Sequence, residues 1–340
     1  MAKVRISIKG IFSGGALLLL PLVLFSDHSA GLTLAFNATD NLQFLNIKDQ
    51  GATLTVDPFI QFQGFVTLTY DGAISVIGLD RNNLFFGNDI ALLKHIFLPG
   101  VGNKNTMYID AYLLLTSDYD IYRMNEYSIG DSISFYVAKR YFLTADLQGI
   151  YTDYRNDSLT DYQQAHIRTS LSIPMPYFFL TPLVRGGIRM YDEQSLPFYG
   201  GSVSIDLPLT IDFSMTVSGS YLRHSEPTSH ITTLTYADDP FFERENLEQI
   251  MDATIECTKI FMTHRSRLNL SAGLFNKRFF EMDNMDREDE GFTGQATLTH
   301  TIDRTTVVSV AYSYLTNSST LGAFTYDKNT IDLSLQFLFW

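Results

Sequence analysis

Residues 330–340, TIDLSLQFLFW, decide the fold. Ile331, Leu333, Leu335, Phe337 and Phe339 are apolar, and Asp332, Ser334 and Gln336 alternate with them. Leu338 and then Trp340 close the sequence with no polar tail after them. A period of two means a strand with two unlike faces. A strand of this kind at a terminus needs a partner, because an unpaired apolar edge invites association.

The same period runs through the rest of the chain. Leu54, Val56, Ile60, Phe62, Val66 and Leu68 share one phase in TLTVDPFIQFQGFVTLT. Thr53, Thr55, Asp57, Gln61, Gln63, Thr67 and Thr69 share the other. IDFSMTVSGSY (211–221) and RLNLSAGL (267–274) repeat the pattern. A soluble sandwich hides its apolar face in a core. A transmembrane barrel turns that face to lipid and the polar face to a wet lumen.

Connections and aromatic residues choose between the two. Short links such as KRY (139–141) and PMP (174–176) alternate with long ones such as 117–130, 191–198, 224–247 and 281–290. That alternation is a barrel's two rims. Tyr119, Tyr122, Tyr151, Tyr154, Phe178, Phe179, Tyr191, Phe279 and Phe280 crowd strand ends, where girdles at the membrane interfaces would use them. The expected fold is all-β, a transmembrane antiparallel up-and-down β-barrel of about 16 strands, with 14 as the fallback. The expected strands include 53–69, 73–79, 88–97 and 131–138, with a turn at TYDGA (69–73). LFFGNDIALLKHIF (84–97) also fits a short helix. Residues 327–340, with Ile331, Leu333, Leu335, Phe337, Phe339 and Trp340, form the barrel-closing strand, paired with the first.

Composition limits the alternatives. The chain has 340 residues, 45% of them hydrophobic, which excludes a disordered polymer. Its one long apolar run follows Lys3, Arg5 and Lys9 and ends near Phe25, and SDHSAG comes next. Residues 1–30 therefore read as a cleaved secretion signal, with the cut after Ala30 or after Ser26, and residues 31–340 as one barrel domain. A net charge of −13 argues against nucleic acid as a partner. The single Cys257 excludes an internal disulfide and a thiolate zinc site. No cofactor and no metal site is expected.

The last forty residues contain YSYLTNSS and FTYDKN, and they resemble the closing hairpin of a broad group of Gram-negative outer-membrane barrels. That group includes barrels of the polysaccharide-export and surface-lipoprotein-assembly type. The terminal aromatic residue also resembles the signal that barrel-assembly machinery reads. The resemblance implies a bacterial outer-membrane location, with the lipid bilayer, lipopolysaccharide and the assembly machinery as partners.

Extending the phases puts Asp57, Asp110, Asp146, Asp206, Asp212, Asp252, Glu256 and Asp332 in the lumen, with Arg168, Arg185, Arg189 and Arg267. A channel of about 16 strands leaves room for water. The leading expectation is a porin-like channel for small solutes, sorted by these charges and enriched in cations because acids outnumber arginines. The rival is a non-transport surface barrel for adhesion or envelope assembly and export, with the acids and arginines paired across a packed interior. EMDNMDREDE (281–290) lacks the spacing of a calcium loop and reads as a solvated acidic loop. HSEPTSH (224–230) offers the Ser and His of a membrane-embedded hydrolase without a nucleophile motif around them. The protein is expected not to be an enzyme.

Overall fold

The structure is a computed structural model that describes residues 25–39, 51–64, 66–77, 84–97, 103–116, 124–137, 140–154, 161–191, 194–225, 247–261, 264–280 and 287–339. Its strands are β1 (Phe25–Thr39), β2 (Gly51–Gly64), β3 (Thr67–Ile77), β4 (Leu84–Phe97), β5 (Lys104–Thr116), β6 (Met124–Val137), β7 (Tyr141–Tyr154) and β8 (Tyr162–Pro174). They continue as β9 (Phe179–Met190), β10 (Ser195–Thr210), β11 (Phe213–His224), β12 (Leu247–Phe261), β13 (Ser266–Phe279), β14 (Glu288–Thr301), β15 (Thr306–Ser319) and β16 (Tyr326–Leu338). Each strand is antiparallel to its chain neighbours, and β16 returns to β1 to close the barrel. Closure satisfies every ladder without an edge, the condition for crossing hydrocarbon with strands.

The period-two pattern is the cause of the two faces. Directly opposed residues project to the same side of a sheet. Leu34 pairs with Leu335 and Val56, and Phe36 pairs with Leu333 and Leu54. These side chains face outward, and Leu54 and Leu333 are about half exposed. Ile129, Leu147, Ile167 and Val184 carry the same exposed phase around the wall. An exterior of this kind faces lipid. Three outward aromatic pairs lie toward the rim with the longer connections: Tyr127 with Tyr151, Tyr199 with Tyr221, and Phe292 with Tyr314, with centroids 6.3–6.4 Å apart.

Several expected boundaries move. The segment 53–69 is not one strand: β2 ends at Gly64 and β3 begins at Thr67, and the expected turn at 69–73 lies inside β3. Gly72 lies within β3 beside the Tyr70 side chain, and a Cβ there would meet the Tyr70 hydroxyl at 2.6 Å. Residues 84–97 form β4, not a helix. β6 starts at Met124, β10 at Ser195 and β14 at Glu288, so three expected long connections are shorter.

The aromatic girdle is corrected as well. Tyr154, Tyr191, Phe279 and Phe280 are buried, at 3–8% exposure, instead of facing lipid. Tyr154, Tyr162 and Tyr191 form a tilted cluster inside the mouth, with centroids 6.4 and 5.6 Å apart. Tyr119, Tyr122 and Trp340 lie outside the described residues, as does the expected signal segment up to residue 24. β1 takes in Ser26 to Gly31, and the Phe339 N–H donates to the Ala30 carbonyl at 2.8 Å.

Candidate functional site

The lumen wall is the candidate site, and its charges fall into two arcs. Asp57, Asp71, Asp89, Asp110 and Glu126 stand on the inward phase of β2 to β6. Asp71 and Asp89 are direct cross-strand partners. Sequence reasoning missed Asp71, Asp89 and Glu126, because it placed them in a turn, in an ambiguous segment and in a loop. Arg168 and Arg185 are direct partners on β8 and β9. Arg189 follows on β9; its Nε donates to Gln164 Oε1 at 3.1 Å, and its guanidinium lies 4.7 Å from the Tyr162 ring centroid. The seam between the arcs is an ion pair: Arg168 Nε donates to Asp146 Oδ2 at 2.9 Å, with Asp146 on β7.

The remaining expected site residues are distributed elsewhere. Asp206 accepts from Thr216 Oγ1 at 2.7 Å. Asp252 accepts from Ser220, and Asp332 accepts from Asn37, so both are tied to adjacent strands. Glu256 faces Ser271 across β12 and β13, and Arg267 stands opposite Thr299 toward the short-turn rim. Asp212 sits in the turn at 211–212, 3.7 Å from His264 Nδ1. Ile331, Leu333, Leu335 and Phe337 of the closing strand face outward, and Phe339 just beyond it is 57% exposed.

A cavity opens from the described part of each arc. One, about 270 Å³, lies on the basic arc between Arg168, Arg185, Arg189, His166, Phe198 and His224. Its floor is cationic and its side is apolar, so it fits an anion attached to a ring or a short hydrocarbon. The other, about 340 Å³, lies on the acidic arc between Asp57, Phe59, Gln61, Asp71 and Gln336. The Phe59 ring there rests over Gly31, where a Cβ would approach within 2.3 Å.

At the long-loop rim a third cluster is buried and compact. Arg287, 5% exposed, holds Asp289, 1% exposed, through Nη2 at 2.7 Å and Nε at 3.1 Å. Its guanidinium lies between the rings of Phe279 and Phe324, 4.3 and 3.9 Å from their centroids. Asn317 donates to Asp289 at 3.1 Å and to the Phe324 carbonyl at 2.7 Å. Residues 281–286 of the expected acidic loop lie outside the described residues. Of the expected hydrolase stretch, the His224 ring packs at a tilt beside Phe198 with centroids 5.4 Å apart, the Ser225 N–H is held by the Pro197 carbonyl, and 226–230 are not described. Among the described residues, no cluster of three or more His, Cys, Asp or Glu is arranged to hold a metal ion.

No family model matches the sequence, and no curated protein sequence matches it. The fold does match solved structures. OpdK of Pseudomonas aeruginosa, solved with vanillate, aligns with a TM-score of 0.56 at 8% identity, over 93% of this chain and 100% of that one. OccK9 (OpdG) of the same organism aligns with a TM-score of 0.54 at 12% identity, over 93% and 100%. The outer membrane protein OprD of that organism gives 0.53 at 11% identity, over 93% and 94%. These similarities establish the fold: a closed 16-strand barrel of the outer-membrane type. They lend no support to the export-type resemblance of the closing hairpin.

Proposed function

We propose that the chain is a bacterial outer-membrane channel for small solutes, and that its basic arc selects solutes carrying a carboxylate. One observation carries this reading: Arg168, Arg185 and Arg189 line a single lumen cavity that has an apolar side. Guanidinium groups bind carboxylates in a planar, paired geometry, and a ring or alkyl group fits beside Phe198. The vanillate in the OpdK structure is an aromatic carboxylate and sets the kind of probe to use. The acidic arc serves a different purpose. It raises the local concentration of small cations and keeps background conduction cation-selective.

The test is conductance of purified protein in a planar bilayer. Stepwise channels are expected, with open-channel noise or block on adding benzoate. Arg168→Gln with Arg185→Gln is expected to weaken that block while channels persist. Absence of conductance from a folded barrel overturns the channel reading and favours the surface role. Equal block in the variant overturns only the carboxylate assignment. Residues 1–30 are proposed to act as the export signal, and lipopolysaccharide and the barrel-assembly machinery are the partners that an exported barrel implies. Mass spectrometry of the extracted protein is expected to find no peptide from residues 1–25.

A further inference from the structure

At the short-turn rim of β12 to β15, three exposed cations stand without partners. Lys259 lies near the end of β12, opposite Phe213 and Leu268. Its cross-strand row runs on from Leu268 through Leu298 and Val310 to Leu333, which fixes Lys259 on the lipid side of the wall. Arg265 and Arg304 are exposed in the next two short connections, after β12 and after β14. The Thr301 N–H donates to the Arg265 carbonyl at 2.8 Å, which ties the first of these connections to the end of β14. Among the described residues, no side chain forms an ion pair or hydrogen bond with the side chains of Lys259, Arg265 or Arg304. The acids of this sector are already engaged. Asp303 accepts from the Thr305 N–H and from its Oγ1, each at 2.8 Å, and Asp212 lies 3.7 Å from His264 Nδ1.

The other rim of the same strands is built differently. There Arg223 meets Glu248 at 3.3 Å, Arg278 Nε donates to Glu288 at 2.8 Å, and the Tyr314 hydroxyl donates to Asp327 at 3.2 Å. Charges at the long-loop rim close on one another, whereas the cations at the short-turn rim are left for an anion outside the chain. A long cationic side chain beside lipid lays its stem on apolar surface and brings its head to the interface. The short connections of an outer-membrane barrel face the periplasm. The leaflet on that side is phospholipid, so the anion within reach is a headgroup phosphate. Leu298, Val310 and Ile302, each about half exposed, offer apolar surface to acyl chains beside the same cations. A zwitterionic head brings its own ammonium toward three positive charges, and an anionic head does not.

We infer that the outer edge of the short-turn rim at β12–β15 binds an anionic phospholipid, whose headgroup phosphate is met by Lys259, Arg265 and Arg304. The inference rests on the membrane reading, though not on the channel or its solute.

The test uses the full chain in mild detergent with added dioleoylphosphatidylglycerol or dioleoylphosphatidylcholine, and native mass spectrometry counts the lipid retained. Phosphatidylglycerol is expected to be retained in preference, and less so as salt rises. Lys259→Gln, Arg265→Gln and Arg304→Gln are each expected to weaken that retention about five-fold. Arg223→Gln, at the other rim, is expected to leave it unchanged. The heat-dependent gel shift of a folded barrel checks each variant, and the remaining variants decide where one does not fold. Equal retention of the two lipids, or equal retention by the parent and the three rim variants, overturns the site. A loss of the same size in Arg223→Gln overturns its placement at this rim. Displacement of phosphatidylglycerol by an equal concentration of inorganic phosphate overturns the lipid as occupant. A chain found outside the membrane fraction overturns the membrane reading itself.

Discussion

Arg168 Nε donates to Asp146 Oδ2 at 2.9 Å, and this pair is where the acidic arc of the lumen meets the basic arc. Arg168 is 54% exposed and Asp146 is 15% exposed, so the carboxylate is fixed in the wall while the guanidinium reaches into the water. A solute carboxylate that binds Arg168 competes with Asp146. Exposed pairs of this kind are worth about 0.2–1 kcal/mol. Asp146→Asn is therefore expected to tighten benzoate block roughly one-and-a-half- to five-fold. A titration of blocked current against benzoate concentration measures this, and weaker block in the variant contradicts the competition.

Asp71 and Asp89 give the opposite case, two like charges placed directly across a ladder. Such pairs destabilise a sheet. Asp89→Asn is expected to stabilise the barrel by about 0.2–1 kcal/mol in a urea titration. The same change is expected to lower cation preference, read as the reversal potential across a salt gradient. The difference from the parent protein is expected to shrink as ionic strength rises and screening shortens.

These two arcs also show how much the sequence alone could carry. The closing strand, the period of two and the even strand number were legible, because lipid and water impose opposite chemistry on alternate residues. Asp146, Arg168 and Arg185 are cross-strand partners on one phase of β7, β8 and β9. Asp71 escapes single-strand reading because an Asp–Gly pair imitates a turn, whereas Asp71 and Gly72 lie inside β3. The buried tyrosines were read as girdle residues, since strand-end position does not tell an inward ring from an outward one. Tyr154 and Tyr191 point in, and Tyr151 points out. Which charges share an arc depends on the register between neighbouring strands, and single-strand periodicity has no access to it.

The buried ion pair at the rim makes a larger energetic prediction. Removing one partner of a buried pair strands the other charge. Arg287→Met is expected to destabilise the barrel by about 3–5 kcal/mol, with Asp289 left among Asn317 and the Phe279 and Phe324 rings. Arg287→Met combined with Asp289→Leu is expected to recover much of that loss, because no charge is then stranded. Urea unfolding of the barrel refolded into vesicles provides the comparison. Equal losses in the single and double variants contradict a stranded charge as the cause.

The assignment of faces can be tested at two adjacent residues. Leu270 is outward on β13, 46% exposed, and opposes Cys257 and Ala296. Ser271 is inward and opposes Glu256 and Gln295. An arginine on the lipid face costs about 2–4 kcal/mol toward the bilayer middle and progressively less toward the interfaces. An arginine in a water-filled lumen keeps its hydration, and at position 271 it also gains the Glu256 carboxylate as a neighbour. Leu270→Arg is therefore expected to cost about 2–4 kcal/mol in the same vesicle unfolding assay, and Ser271→Arg less than about 1 kcal/mol. Ser271→Arg is also expected to reduce single-channel conductance, because its side chain occupies the pore, whereas Leu270→Arg leaves conductance unchanged in the barrels that insert. Reversed costs at these neighbouring positions would invert the two faces of the wall, and the lumen assignment of every charge in both arcs would fall with them.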